Sequence, residues 1–224
     1  MRPARSALLA ALAALLATAG DLLMLYVANA RRPELGLPPA PSGALALGGA
    51  LGVLAIPLYA HGYRAAARLV PPQWPRSASS VAILGGVTAV LGAAIHGLTA
   101  LAIHADGIPG APAGDPFATL LASPLLLALW IAVALCALAA SLVFAVRTAR
   151  SPARATRRAG LANPALLTVA LIGIGLTPPL ARGFLAPAAP NLAHVAFFAL
   201  CAWALGRQPA SEPLSSARSG GKDV

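Results

Sequence analysis

The sequence predicts an all-α membrane protein whose helices form one polytopic bundle and cross the bilayer about six times. The chain has 224 residues, of which 58% are hydrophobic and 10% charged, and its mean hydropathy is +0.78. A soluble domain carries about 25% charged residues. The apolar residues come in long runs of spanning length rather than with the 2.0 or 3.6 period of an amphipathic strand or helix. A water-soluble core could not hide this much apolar surface.

Six apolar runs follow one another along the chain, separated by segments that are rich in Pro, Gly or charge. They lie at about residues 7–28, 43–62, 80–104, 124–146, 164–178 and 190–206. We expect residues 1–206 to form a single transmembrane domain of six helices. The remaining segment, 207–224, is rich in Ser and Gly and polar overall, so we expect a disordered cytoplasmic tail.

The first run fits either a signal peptide or a retained helix. Arg2 and Arg5 precede a Leu/Ala stretch, and the Ala-Thr-Ala triplet at 17–19 fits a secretory cleavage site. Against cleavage, the run resumes at residues 22–27 and reaches spanning length. We therefore favour an uncleaved first helix.

The second and third runs carry small residues at helical spacing. Gly48 and Gly52 form a G-x-x-x-G pair on the second helix, and Gly85, Ala89 and Gly92 form a stripe on the third. Small residues let helix backbones approach closely in a membrane. We interpret both sets as packing surfaces within the chain rather than as dimer faces.

The fourth and fifth runs begin with helix-start signals. Ser123-Pro124 and Asn163-Pro164 each place a capping residue before a proline that suits the first helical position. Between these two runs, residues 147–158 form a linker that contains five arginines. We therefore expect helices to start at Pro124 and Pro164.

Successive connecting segments would lie on opposite sides of the membrane, and the basic residues are distributed unevenly between these two sets of segments. Thirteen of the sixteen Lys and Arg residues fall in the N-terminus, the second and fourth connections and the C-terminal tail. Arg31, Arg32 and Arg182 lie in the other connections, which also carry Glu34 and Asp106. Because short cytoplasmic loops carry the excess of Lys and Arg, we expect both termini in the cytoplasm.

The formal net charge of +10 would suggest nucleic acid as the partner of a soluble protein. Here the basic residues flank apolar runs, so we expect the lipid bilayer and its anionic head groups as partners, and no nucleic acid. Cys136 and Cys201 fall inside apolar runs, which does not favour a disulfide framework. The Ala-, Arg- and Pro-rich usage is typical of a GC-rich bacterial genome. We therefore expect a multi-pass protein of the cytoplasmic (inner) membrane.

A few ionisable residues fall inside the apolar runs, where each needs a partner or a purpose. Asp21 lies on the first helix, His96 on the third and His194 on the sixth. At 1.5 Å per residue, they lie roughly 10, 12 and 6 Å below the outer ends of their helices. This similar depth predicts one polar site in the outer half of the bundle, where the three side chains face one another.

Several chemistries suit such a site, and the sequence leaves them open. A carboxylate beside an imidazole relays protons or acts as general acid and base. Two histidines and an aspartate can bind a metal ion with an open position, and two facing histidines can ligate haem iron. No H-x-x-x-H or H-E-x-x-H pair and no complete cofactor motif decides between them. The catalytic and the metal-binding candidates are therefore the same residues: Asp21, His96 and His194.

Neighbouring polar residues extend the candidate site toward a substrate. Thr99 shares a helical face with His96, and Asn191 shares one with His194. Arg182, expected at the outer end of the fifth helix, could attract an anion. The leading hypothesis is a site that handles a proton, a metal ion or a small polar or lipid substrate. The alternatives are a non-catalytic membrane subunit whose polar residues only pack the bundle, and a b-type haem protein.

Two segments of the chain resemble uncharacterised bacterial six-pass integral membrane proteins. The segments are Gly20-Asp21-Leu22-Leu23 on the first helix and Pro190-Asn191-Leu192-Ala193-His194 at the start of the sixth. That family has no established activity, so the resemblance implies topology and little else. The intramembrane zinc hydrolases related to alkaline ceramidases are less similar, because their paired histidines on a late helix are missing here.

Overall fold

The chain folds into a bundle of α-helices. The computed structural model describes residues 2–106, 123–175 and 179–208, without the side chains of Glu34, Asp106 and residues 179–182. In this part of the chain the α-helices are α1 (Pro3–Ala30), α2 (Ala44–Ala55), α3 (Tyr59–Ala67), α4 (Pro75–Asp106), α5 (Pro124–Thr148), α6 (Arg154–Leu161), α7 (Pro164–Gly175) and α8 (Pro179–Gly206). Short 3-10 helices span Pro33–Leu35 and Ile56–Leu58, and the same residues contain no β-strand.

Five segments are long and apolar enough to cross a membrane. They are Pro3–Ala30, Ala44–Ala67, Pro75–Ala105, Pro124–Thr148 and Gly183–Gly206. Helices α6 and α7 meet at a bend of 49° and would make a sixth segment if they are counted as one. By length and composition, the described helices therefore provide five or six candidate membrane spans.

Helix α1 shows the distribution of residues that is typical of a lipid-embedded helix. Its buried face is built from alanines, among them Ala10, Ala14 and Ala17, which are fully buried. Its leucines point outward, and Leu12 and Leu15 are 53% and 54% exposed. Membrane helices pack against one another through small side chains, as the alanine face of α1 does. The large apolar side chains on its outer face suit contact with acyl chains. The distribution suggests a membrane-embedded protein.

The helices pack in an order that places α1 near the centre. Helix α1 contacts α8 on one side and α2 and α3 on the other. Helix α4 packs against α2, α3 and α5, and α7 packs against α8. Polar residues on α1 can therefore meet side chains from the middle and the end of the chain.

Side-chain contacts identify which helix ends lie together. A Cβ atom on Gly62 would lie 2.5 Å from both Ala10 and the ring of Phe198. The rings of Phe144 and Phe197 lie 5.3 Å apart. The start of α1 and the last parts of α3, α5 and α8 therefore share one end of the bundle, which we call the arginine-rich end.

The opposite end is defined by contacts of the last turn of α1. Asn29 Nδ2 donates a hydrogen bond of 3.2 Å to the carbonyl oxygen of Gly183 in α8. Gly175, the last residue of α7, packs closely against Ala186 of α8. At the other end of α7, Ala165 N donates to Ser141 Oγ of α5 at 3.4 Å. Helix α7 therefore runs from the arginine-rich end toward the opposite end.

The sequence-based start of the last helix at Pro190 is wrong, because α8 begins at Pro179 and contains Pro187 and Pro190 in its interior. A proline inside a helix leaves the carbonyl of the residue four positions earlier without its usual donor. For Pro187 this carbonyl belongs to Gly183, and Asn29 supplies the missing hydrogen bond. Arg182 consequently lies on α8 rather than at the end of the fifth run, and its side chain is outside the described residues.

Other expected boundaries agree with the structure in part. Asn163 caps α7, since its Oδ1 accepts a hydrogen bond of 3.1 Å from Leu166 N, whereas the side chain of Ser123 makes no capping bond to α5. The linker at 147–158 is not structureless, because α6 forms within and beyond it. The expected disorder of 207–224 falls almost wholly outside the described residues.

Candidate functional site

Asp21 and His96 meet between α1 and α4. Asp21 Oδ1 lies 3.2 Å from His96 Nδ1. The His96 ring fits against α2 because Gly52 has no side chain. A Cβ atom on Gly52 would overlap the imidazole ring. Gly20 and Gly48 bring α1 and α2 together beside this contact, since a Cβ on Gly20 would lie 2.7 Å from the Gly48 carbonyl oxygen. The small residues on α1 and α2 therefore create the space that the polar pair occupies.

The hydrogen bonds of His96 require a proton between its ring and Asp21. His96 Nε2 lies 3.1 Å from the carbonyl oxygen of Gly48, and a carbonyl only accepts hydrogen bonds. Nε2 must therefore carry a hydrogen. The other nitrogen, Nδ1, faces a carboxyl oxygen, so the contact is favourable only when a proton lies between them. The pair is thus either an imidazolium and a carboxylate, or a neutral imidazole and a carboxylic acid.

Two further side chains extend this pair into a chain of hydrogen bonds. Asn191 Nδ2 on α8 donates to Asp21 Oδ2 at 2.7 Å. Tyr59 Oη on α3 donates to Asn191 Oδ1 at 2.8 Å. We call His96, Asp21, Asn191 and Tyr59 the Asp21 chain. It links α4, α1, α8 and α3 through side chains alone, so it fixes four separate helices relative to one another.

The structure does not give His194 a hydrogen bond to Asp21. His194 Nδ1 donates to the carbonyl oxygen of Pro190 at 2.7 Å, so its Nε2 accepts from the Tyr63 hydroxyl at 2.8 Å. The rings of Phe197 and Phe198 lie beside Tyr63 at centroid distances of 5.9 and 5.4 Å. We call Tyr63, His194, Phe197 and Phe198 the His194 cluster.

The Asp21 chain and the His194 cluster are neighbours. The Tyr59 ring stacks on the His194 ring with centroids 4.9 Å apart and an angle of 30° between the planes. Tyr59 thus touches Asn191 with its hydroxyl and His194 with its ring face. The three ionisable residues expected to face one another lie in one region, although only Asp21 and His96 are in direct contact.

The site lies near the middle of the bundle rather than close to one end. Asp21 is nine residues from the end of α1, and His96 is nine residues from the end of its span at Ala105, which is about 14 Å at 1.5 Å per residue. His194 is eleven residues from the start of its span at Gly183, or about 16 Å. The depth of about 6 Å expected for His194 is wrong, because it assumed that the last helix begins at Pro190.

Burial and hydrogen bonding stabilise the polar groups of the site together. The side chains of His96 and Asp21 are 4% and 14% exposed. No buried side-chain nitrogen or oxygen atom in the described part of the chain lacks a hydrogen-bond partner. Because an unpaired polar group in hydrocarbon costs several kcal/mol, this complete pairing allows ionisable side chains at such depth.

The other sequence-based candidates lie outside these contacts. Thr99 Oγ1 donates to the carbonyl oxygen of Ile95 in its own helix at 2.8 Å, so its hydroxyl is not part of the Asp21 chain. His61 and His104 are exposed. The cavities near the opposite end, about 420 Å³ beside Arg31, and near Arg64, about 520 Å³, are not lined by residues of the Asp21 chain.

Metal or haem binding would have to displace existing hydrogen bonds. Within residues 2–106, 123–175 and 179–208, no group of three or more His, Cys, Asp and Glu side chains is placed to hold a metal ion. Both ring nitrogens of His96 and of His194 are engaged by protein atoms. Neither imidazole therefore offers a free lone pair to a metal.

Sequence reasoning missed Tyr59 and Tyr63, which lie four residues apart on α3 and are 2% and 1% exposed. Tyrosines near the ends of membrane helices usually mark the interface with water. Two features of the sequence indicate that these tyrosines are buried. Their four-residue spacing places both rings on one helical face, and small residues such as Gly62 and Ala66 lie on the same helix.

The chain belongs to a family of unknown function (DUF6796), whose model matches residues 1–208. No curated protein matches the chain. No solved structure matches it either. The family membership agrees with the expected uncharacterised family and covers every residue of the Asp21 chain and the His194 cluster.

Proposed function

We propose that the protein is an integral membrane protein whose working site, the Asp21 chain, binds and releases a proton inside the bilayer. The observation that carries the proposal is the contact between Asp21 and His96, which requires a proton between the two groups. His96 and Asp21 are the exchanging groups. Asn191 donates to the second carboxyl oxygen and orients it, and Tyr59 holds Asn191 in turn.

Physical reasons favour proton exchange over a purely structural pair. Histidine is the side chain whose charge changes most readily near neutral pH, and a carboxylate at hydrogen-bond distance makes it a proton donor or acceptor. A buried ion pair is often no more stabilising than well-packed apolar residues of similar volume. Ionisable residues within a membrane span are therefore functional candidates by default.

Nitrogen-15 spectroscopy of histidine-labelled protein in lipid nanodiscs tests this proposal. We expect the His96 ring signals to show a change of protonation state within the pH range over which the bundle stays folded, and this change to disappear or move in Asp21→Asn. His61→Gln is the matched control, because it removes an exposed imidazole from the same bundle without touching Asp21. A single protonation state of His96 throughout the range in the wild type would contradict proton exchange.

The second candidate is a non-catalytic membrane subunit in which the polar residues only pack the helices. Its support is that every buried side-chain nitrogen and oxygen atom among the described residues has a hydrogen-bond partner. A network that only packs helices is complete in this way and needs no access to solvent. The two candidates differ in the wild type. A packing role predicts that His96 keeps one protonation state over the pH range in which the bundle stays folded, whereas proton exchange predicts a change of state.

We also infer a topology of six crossings, with the arginine-rich end in the cytoplasm of a bacterial cell and the protein in its cytoplasmic membrane. The support is the distribution of basic residues, thirteen of sixteen on one set of segments, and the direction of α7 from the arginine-rich end to the opposite one. Reporter fusions after Arg158 and after Val224 should read cytoplasmic, and a fusion after Asp115 should read periplasmic. A periplasmic C-terminus would overturn the topology.

The proposed site requires that α1 stays in the mature protein, because Asp21 and most of the alanine face lie on it. Mass spectrometry of the membrane-extracted protein should therefore find peptides from residues 1–19. A mature N-terminus at Gly20 would remove most of α1 and would show that the first run is a signal peptide.

A further inference from the structure

The short helix α6 at the arginine-rich end is fixed firmly to the rest of the bundle. Its buried residues are Thr156, Ala159 and Gly160. A Cβ atom on Gly160 would overlap the hydroxyl of Thr148 in the last turn of α5, and α6 also packs against α8. The outward face of α6 is therefore held at a defined position.

Two of the five arginines between residues 147 and 158 hold this part of the chain together. The Arg147 guanidinium lies 3.9 Å above the ring of Trp74, and its Nε donates to Ser77 Oγ at 3.0 Å. Arg157 donates through one nitrogen to the carbonyl oxygens of Ser151 and Pro152 at 2.7 and 3.0 Å. These hydrogen bonds stabilise the turn that leads into α6.

The other three arginines point outward and have no partner in the described part of the protein. Arg150, Arg154 and Arg158 are exposed, and their guanidinium groups make no hydrogen bond or ion pair with residues 2–106, 123–175 or 179–208. No Asp or Glu side chain that the structure describes lies at this end of the bundle. The positive charge is therefore available to an anion from outside the protein.

The exposed face of α6 combines charge with an apolar surface. Arg154, Arg158 and Leu161 follow i, i+4 and i+7 spacing, so they share one face of the helix. Leu161 is 73% exposed. Further along the chain, Leu166 and Val169 of α7 are 57% and 70% exposed, so the helix that follows α6 also presents apolar side chains outward. A ligand that fits this surface has an anionic head and an apolar tail.

We propose that α6 and the turn before it bind an anionic phospholipid, with its phosphate beside Arg154 and Arg158 and its acyl chain along Leu161, Leu166 and Val169. Arginine suits a phosphate because its planar guanidinium donates two parallel hydrogen bonds. The exposed arginines also cannot lie in hydrocarbon without a high cost. This places Arg154 and Arg158 at the level of the head groups, at the start of the bent segment that α6 and α7 form with an angle of 49° between them.

Native mass spectrometry of the purified full chain, titrated with phosphatidylglycerol or phosphatidylcholine, tests the proposal. The test variant is Arg154→Gln/Arg158→Gln. The matched control is Arg64→Gln/Arg68→Gln, which removes two exposed arginines with the same four-residue spacing at the same end. We expect phosphatidylglycerol to bind the wild type and the control alike. In the α6 variant its affinity should fall roughly 30-fold, the effect of two membrane-surface arginines.

Three outcomes would overturn the proposal. Equal losses in the two double variants would show a diffuse attraction of all basic residues rather than a site on α6. Equal binding of phosphatidylcholine would show that the negative charge is not recognised. Competition by inorganic phosphate as strong as by phosphatidylglycerol would show that the site takes the free anion and that the apolar surface plays no part. Leu161→Gln should weaken lipid binding several-fold and leave the binding of inorganic phosphate unchanged.

Discussion

The two buried histidines of this protein have opposite surroundings at similar burial. His96 is 5% exposed and His194 is 6% exposed. His96 faces a carboxyl group that accepts a hydrogen bond from the Asn191 amide, which is held in turn by the Tyr59 phenol, so its surroundings contain a group that can carry charge. His194 faces a phenol, a backbone carbonyl and aromatic rings.

The comparison shows that burial alone does not assign a role to a membrane histidine. The partners of His96 allow its ring to gain or lose a proton, because the carboxyl group can take the opposite change. The partners of His194 satisfy a neutral ring with one N–H and one lone pair. The difference supports the proposal that the Asp21 chain exchanges a proton, whereas the contacts of the His194 cluster pack α3 against α8.

The largest expected effect separates the two histidines by charge. His96→Ala should reduce the free energy of unfolding by about 3–5 kcal/mol at neutral pH, because it leaves a buried carboxylate without its partner. His194→Ala removes no partner of a charged group, so its cost should be smaller. Unfolding in mixed micelles measures both, and equal losses would contradict the comparison.

The next largest effect is expected when the glycines that lie against the rings of His96 and Tyr63 are substituted. A Cβ on Gly52 would overlap the ring of His96, and one on Gly85 would overlap the ring of Tyr63. We expect Gly52→Ala and Gly85→Ala each to cost about 1–3 kcal/mol through overpacking. Only Gly52→Ala should also change the His96 ring signals.

Gly86 is the matched control for these glycine variants, because it follows Gly85 directly on α4 and a Cβ there would meet no atom within 4 Å. Gly86→Ala should be neutral or slightly stabilising in the same unfolding measurement. A loss in Gly86→Ala as large as in Gly85→Ala would mean that helix backbone effects, and not ring contacts, explain the result.

A smaller effect is expected when the phenol of the His194 cluster is removed. Tyr63→Phe keeps the ring contacts and leaves Nε2 of His194 without a donor, which should cost about 1–2 kcal/mol. The chemical shift of this nitrogen should change, and the signals of His96 should stay the same. Coupled changes in both histidines would show that the two regions act as one network.

The smallest effect is expected at the residue that joins the two regions. Tyr59→Phe removes the hydrogen bond to Asn191 and preserves the stacking on His194. Because the lost bond joins two neutral groups and Asn191 keeps its hydrogen bond to Asp21, we expect a loss of about 0.5–1 kcal/mol. Thermal unfolding in nanodiscs should detect it, and a loss above that of Tyr63→Phe would place the main structural role in the Asp21 chain.

Parts of the fold and site could be predicted because they follow from local patterns. Apolar runs of spanning length locate most of the helices, and the depth of Asp21 and His96 on their helices predicts their meeting. The small residues at Gly48 and Gly52 indicate close packing of α2. These features depend on helix geometry and on residue size, which can be read directly from a sequence.

Other parts depend on contacts between residues far apart in the chain. Pro190 has the pattern of a helix start, and the longer α8 exists because Asn29, more than 150 positions earlier, pairs with a carbonyl that Pro187 frees. Asn191, a candidate for substrate binding, donates a hydrogen bond to Asp21, and this contact cannot be read from its own helix. Tyr59 and Tyr63 have buried roles only because α8 brings Asn191 and His194 to them, and a single helix does not contain this information.

The Asp21 chain also has a consequence for the order of events during synthesis. Asp21 leaves the ribosome early, His96 follows 75 residues later, and Asn191 follows 170 residues after Asp21. At about 5–20 residues per second, the carboxyl group waits roughly 10–30 s for its last partner. Through this interval the insertion machinery has to shield Asp21 from lipid, because an unpaired polar group in hydrocarbon is costly. The final helix therefore completes the site. Once it has inserted, Asp21 is no longer exposed to lipid.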